Sequence, residues 1–277
     1  TLVLYDGSPF YPDGNVLWDL ARDEEVALFG TSAKYLDALH KQGYAPINTH
    51  DLPALRLICS TGSVLSPEGF DYVYQGIKQD VQLSSISGGT DICSCFVIGN
   101  PLSPVYRGES QGRGLGLAVQ VFNEAGQPVQ GEKGELVCTK PFPAQPIYFW
   151  GDENGDKYHA AYFERFDNIW CHGDWITITD RGSVVVHGRS DATLNRGGIR
   201  MGSAEIYNAV EGMAEIADCL VVGVEESDGG YWMPLFVAMA DGAVFDDDLK
   251  AKITAAIRSK ASPRHVPDAI LAVPGIP

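Results

Sequence analysis

Positive charge is scarce in this sequence. Twenty Lys and Arg stand against 36 Asp and Glu, a formal net charge of −16, whereas a nucleic-acid groove or an anionic membrane surface demands clustered Lys and Arg. No nucleic-acid partner is expected. Long apolar runs are also missing: none approaches the ~20 residues that a membrane helix needs, and the opening TLVLYDGSPF lacks the charged start of a secretory signal. A soluble, cytoplasmic protein without membrane insertion is the expectation. The six cysteines (Cys59, Cys93, Cys95, Cys138, Cys171 and Cys219) show no C-x-x-C spacing, which speaks against zinc or a disulfide framework and for buried thiols. No H-E-x-x-H pair occurs, so the zinc-hydrolase signature is lacking. The first residue is not Met and the last five read VPGIP, a turn-like end with no closing element. A fragment is expected.

What is present is an ordinary globular composition, 45% hydrophobic and 20% charged over 277 residues, enough for about two domains. At first, strand-like runs (LVLY, VALFG, LRLICS, VQLSSIS) alternate with helical ones (VLWDLARDEE, SAKYLDALHKQ, SPEGFDYVYQGIK). That alternation predicts a partial parallel α/β subdomain over 1–105. Short strands and Gly/Pro turns then predict an antiparallel β-barrel-like subdomain over 106–189. A small α+β domain is expected over 190–277, with DDD at 246–248 as an acidic helix start. Between the last two lies HGRSDATLNRGGIR, a polar connector with neither helical nor strand periodicity.

In parallel sheets ligands bind beyond the carboxyl ends of strands, so the loops TGSVLSP and SGGTD are the places to look for chemistry. Gly88 and Gly89 permit close backbone approach, Thr90 offers a hydroxyl, and Asp91 can hold a hard cation, although a plain glycine turn reads equally well. Asp174 in HGDW is placed at a strand edge, either as a ribose ligand or as a turn residue. His172 beside it is read as structural rather than as a base. Arg189 and Arg200 are forked donors suited to phosphate. GRGLG precedes a strand and not a helix, and Glu132 interrupts the P-loop-like GQPVQGEK, so neither is read as a nucleotide motif.

The ordered set TGSVLSP, SISGGTDI, GELVC, WCHGDW, VVVHGRSDATLNRGGIRMGSAEI and PRHVP resembles the adenylate-forming superfamily of acyl-CoA synthetases, adenylation domains and luciferases. Within it, LVLYDGSP, GGTDICSCFVIGNPLSPVYRGESQGRGLG and GIRMGSAEIY are similar to the branch that ligates acetoacetate to CoA. The resemblance implies ATP (leaving as AMP), Mg²⁺ and coenzyme A, a carboxylic acid as the further small-molecule partner, and a mobile C-terminal lid domain. By motif it places Gly62, Ser63 and Val64 at the adenine, where relatives often have Gly-Glu-Pro. Gly89 and Thr90 fall at the phosphates, with Thr90 on the α-phosphate, and Asp91 falls near Mg²⁺, where a glutamate is common. Asp174 falls at the ribose, Arg189 at ribose and phosphate, and Arg200 at the phosphates; Thr90 and Arg200 are the implied catalytic pair. Gly197 and Gly198 border the pantetheine tunnel. Ser87 and Gly88 line the acyl pocket, where acetyl-specific relatives place a tryptophan, so a C4 oxo acid or butyrate fits.

The implied phosphate loop and adenylation lysine are expected before Thr1 and after Pro277, leaving this fragment inactive by itself. Other short-chain ligases, carrier-loading adenylation domains and a non-catalytic nucleotide-binding module stay open as alternatives. Asp191 falls at the hinge between the two half-reactions. Proline there fixes φ, so Asp191→Pro in the full-length enzyme should slow thioester formation more than adenylation; equal loss in both half-reactions would remove the hinge assignment.

Overall fold

Three of the apolar runs become the strands of one parallel sheet. In the computed structural model, which describes residues 1–190, 193–196, 199–225 and 231–276, β1 (Leu28–Ser32), β2 (Leu57–Thr61) and β3 (Gln82–Ser85) pair in that order. Helices α1 (Val16–Asp23), α2 (Ala33–Lys41) and α3 (Pro67–Tyr72) precede or connect them. Two starts are capped by serine: Ser32 Oγ accepts from the Tyr35 N–H at 3.2 Å, and Ser66 Oγ from the Gly69 N–H at 3.1 Å, with Pro67 opening α3. Ile58 and Leu83 of the sheet join Trp18, Leu36, Leu39 and Phe70 of the helices in one buried cluster. Each such side chain contributes about 1.5–3 kcal/mol by leaving water.

LVLY does not become a strand. Residues 1–6 have no regular structure, and Leu2 and Leu4 are 80% and 81% exposed. A strand needs a neighbour for its N–H and C=O groups, and no described strand pairs with this segment.

β4 (Ser87–Gly89) and β5 (Ser94–Ile98) form a hairpin that β6 (Gly112–Arg113) extends to three strands. A second sheet contains β7 (Val119–Phe122), β8 (Gly134–Cys138), β9 (Trp170–Ile178) and β10 (Val184–Arg189), in the order β10-β9-β8-β7. Phe96, Val119, Leu136, Trp170 and Ile176 belong to its core. A helix absent from the sequence reading, α4 (Asp156–Tyr162), lies between β8 and β9. GRGLG runs into β6 and GQPVQGEK lies in the β7–β8 connection, so neither opens a helix.

The polar connector is in part a hairpin. β11 (Thr193–Arg196) pairs antiparallel with β12 (Ile199–Gly202), with buried Leu194 opposite buried Met201, a ladder too short for its apolar residues to stand out in the sequence. After it come α5 (Ser203–Val210), β13 (Ile216–Val221), β14 (Val224–Glu225), β15 (Tyr231–Trp232), β16 (Pro234–Met239), α6 (Asp247–Lys260) and β17 (Ala269–Val273). The main sheet here runs β13-β16-β17, and Ile206, Leu235, Val237, Ile253 and Ile257 fill its core. Asp246 caps α6 by accepting from the Leu249 N–H at 2.8 Å, with Asp247 and Asp248 in the first turn, as the acidic run foretold.

Two compact units result: Thr1–His172 with Ile176–Val186, and Gly173–Trp175 with His187–Pro277. Among the described residues no helix is long and apolar enough to cross a membrane. Phe96 is fully buried, edge-on to Phe142 at 5.4 Å. Phe96→Ala should therefore lower the unfolding free energy by about 3–5 kcal/mol, read as a fall in the urea midpoint; an unchanged midpoint would mean that this cluster does not hold the first unit.

Candidate functional site

Parallel pairing brings two of the expected loops to one edge of the sheet. Ser60 stands opposite Ser85, and the Ile86 N–H donates to the Ser60 carbonyl at 2.9 Å. β2 and β3 therefore end level with each other. Gly62, Ser63 and Val64 leave from the first strand and Ser87 to Asp91 from the second. Gly62 has φ of +84°, a backbone turn that side chains rarely permit. It and Ser63 are exposed, Val64 is half-buried, and buried Leu65 anchors the loop.

The glycine pair has an internal cause. On β4, Gly88 stands opposite Cys95 and Gly89 opposite Ser94. A Cβ on Gly88 would lie 2.1 Å from the Ser94 carbonyl oxygen and 2.6 Å from the Cys95 α-carbon. The close backbone approach expected of a ligand is made here by the hairpin's own second strand. Only Ser87, half-buried, has room for a side chain in the acyl-pocket segment. Thr90 and Asp91 are exposed in the turn. Asp91 Oδ2 accepts from the Tyr162 hydroxyl at 2.5 Å, a partner 71 residues away that no local pattern indicated. A single exposed carboxylate fits a hard cation of the Mg²⁺ kind, which takes one or two carboxylates together with phosphate oxygens. Among the described residues no cluster of three His, Cys, Asp or Glu is gathered elsewhere.

In the second unit Asp174 lies within β9, on the strand's buried face, and not at a strand edge. Its Oδ1 is 3.4 Å from Arg189 Nη1 at the end of β10. The structure thus joins Asp174, expected at the ribose, to Arg189, expected at ribose and phosphate. Arg200 stands opposite Asn195 in the β11–β12 hairpin, while the placement of its side chain, and Asp191, Gly197 and Gly198 altogether, lie outside the described residues.

His172 is buried with its ring 4.7 Å from Phe96, in keeping with a structural role. The thiols correct the expectation of uniform burial. Cys138 and Cys219 are buried, Cys59, Cys95 and Cys171 half-buried, and Cys93 exposed. Burial pushes the Cys59, Cys95 and Cys138 thiols up, and Cys171, beside Glu135, up to about 11. None of these four is a thiolate nucleophile at neutral pH.

The AMP-binding enzyme family matches residues 1–148, and the chain belongs to it. Within that class its similarity runs to acetoacetyl-CoA synthetases. It is 62% identical over 277 residues to acetoacetyl-coenzyme A synthetase of Rhizobium meliloti (strain 1021), covering all of this chain and 42% of that one. The structure of acetoacetyl-CoA synthetase from Streptomyces lividans matches 98% of this chain and 42% of its own length, at 48% identity and a TM-score of 0.87. An anthranilate CoA ligase solved in complex with anthranoyl-AMP shares the fold, with a TM-score of 0.77 at 21% identity over 99% of this chain and 51% of its own. The chain spans about two fifths of the length of the synthetases it matches.

Because Gly88 has backbone atoms where a side chain would go, Gly88→Ala should distort the hairpin and weaken both stability and nucleotide binding. Gly30→Ala on β1, with nothing within 4 Å of the added carbon, is the control and should change neither. Equal effects of the two substitutions on denaturation and binding would refute the steric account.

Proposed function

We propose that the polypeptide carrying this chain is an ATP-dependent acid:CoA ligase that converts acetoacetate, ATP and CoA to acetoacetyl-CoA, AMP and pyrophosphate. The observation that carries the reading is the common edge of β2 and β3, from which both the Gly62–Val64 loop and the Thr90–Asp91 turn depart. Identity of 62% to an acetoacetyl-CoA synthetase across the whole chain supports it.

In the first half-reaction a carboxylate oxygen of the acid attacks the α-phosphorus and the bond to the β-phosphate breaks, releasing pyrophosphate. A carboxylate is a weak nucleophile, so the gain comes from positioning and from stabilising phosphate charge. Thr90 donates its hydroxyl to the α-phosphate, and Arg200 supplies positive charge. Asp174 takes the ribose diol in two hydrogen bonds, with Arg189 between ribose and phosphate, and Gly62, Ser63, Val64 and Gly89 line base and phosphates. Asp91 holds Mg²⁺, which when bound neutralises phosphate charge. In the second half-reaction the CoA sulfur attacks the acyl carbon and the acyl C–O bond to AMP breaks. Gly197 and Gly198 flank the approaching thiol arm, and the C-terminal domain, taken as 190–277 after subdomains 1–105 and 106–189, turns about Asp191 between the steps.

An aromatic ring that closes the acyl pocket is missing at Ser87, and Gly88 has no room for one, which favours an acid longer than acetate. Pyrophosphate release by the full-length protein should be fastest with acetoacetate, measured against acetate, butyrate and long-chain acids. No preference for acetoacetate would overturn the substrate, and no release with any acid would overturn the ligase.

A further inference from the structure

Asp91 is an exposed aspartate at the tip of a turn, a place where a carboxylate ordinarily samples several rotamers. Here two features hold it. Its Oδ2 accepts from the Tyr162 hydroxyl at 2.5 Å, the short range of a hydroxyl bonded to a charged oxygen. Its Oδ1 lies 2.0 Å from where a Cβ on Gly89 would sit. The carboxylate is folded back over the glycine and leaves that pose only by breaking the tyrosine bond.

Tyr162 is itself rigid. Its ring stacks on Trp170 at 3.6 Å between centroids with 13° between planes, and meets Phe149 and Tyr158 edge-on at 5.6 and 5.5 Å. Trp170 is buried, edge-on to Phe142 at 5.3 Å, inside the core that also holds Phe96. A continuous aromatic support thus runs from the interior of the first unit to one oxygen of Asp91.

We propose that Tyr162 is a positioning residue: its hydroxyl fixes the Asp91 carboxylate so that the other oxygen meets the nucleotide-bound divalent cation. The proposal rests on Asp91 serving the metal nucleotide. It also accounts for a shorter acid where related enzymes commonly have glutamate, since a carboxylate held rigidly by a second side chain gives up reach for fixed orientation. The hydroxyl is the whole of the proposed device, so Tyr162→Phe removes it and keeps the aromatic stack.

The test is ATP binding by the full-length protein, titrated by calorimetry with and without Mg²⁺ and in the absence of any acid, so that nothing turns over. Tyr162→Phe should cut the Mg²⁺-dependent tightening of ATP about ten-fold, with metal-free ATP affinity and the far-ultraviolet circular dichroism unchanged. Asp91→Asn should abolish the same tightening. If Tyr162→Phe binds like the parent while Asp91→Asn loses the tightening, the positioning role is overturned and the Asp91 reading stands. If Asp91→Asn itself keeps the tightening, the Asp91 reading fails and takes the proposal with it. A Tyr162→Phe protein that loses metal-free affinity or its far-ultraviolet circular dichroism signal in step with the Mg²⁺ effect would make Tyr162 merely structural, and would overturn the proposal.

Discussion

The ladder between β2 and β3 is the constraint on which the first unit's candidate chemistry depends. Parallel strands run the same way, so whatever follows each of them leaves from the same side of the sheet. The Ile86 N–H bonded to the Ser60 carbonyl sets where both strands stop. A loop containing Gly62 at positive φ and a turn bearing Thr90 and Asp91 are thereby brought close although some 30 residues separate them in sequence. Neither could be placed by local preference alone. The burial of Ile58 and Leu83 in one core makes the ladder costly to shift, because a one-residue slip of either strand would turn its side chain away from that core.

Gly88 and Gly89 show how one sequence signal can carry two physical demands. Read alone, adjacent glycines beyond a strand invite a ligand or a turn. The structure gives each a tighter reason: Gly88 is crossed by the β5 backbone, and Gly89 clears space for the Asp91 carboxylate. Room for substrate in that segment is then set by a hairpin that must close on itself. A side chain at Gly88 would need the hairpin to open before it could be accommodated, which leaves Ser87 as the position of this pair with room for one.

Much of the fold was legible because its elements are amphipathic and capped. α1, α2, α6 and the parallel strands all follow runs whose apolar period matches their conformation. LVLY misled because strand formation requires a partner and not only apolar residues. The β11–β12 hairpin and α4 were hidden because each is too short for an apolar period to stand out, and α4 buries no residue fully. At the site, the loop positions were readable from the parallel-strand pattern, whereas for SGGTD a glycine turn read as well as a ligand site. The Asp174–Arg189 pair, the burial of Asp174 and the Tyr162 contact were not, because each depends on strand pairing or on tertiary approach across many residues.

Two of the motifs that carried the family resemblance do a different kind of work. GSAEI supplies Glu205 on α5, and PRHVP supplies His265, 60 residues later; the His265 Nε2 lies 2.5 Å from Glu205 Oε2. Ser262 Oγ accepts from the Arg264 N–H at 3.2 Å and lies 2.8 Å from His265 Nδ1. An ionised carboxylate can only accept, so Nε2 carries the proton toward Glu205, and Nδ1 pairs with the Ser262 hydroxyl. Every polar atom of a largely buried imidazole is satisfied by this chain of bonds, which ties the turn after α6 to the start of α5. A buried polar network of this kind fixes one arrangement of its elements because any other would strand its donors. The motif series is therefore not a string of ligand contacts: part of it touches the nucleotide on the proposed reading, and part of it ties α5 to the turn after α6.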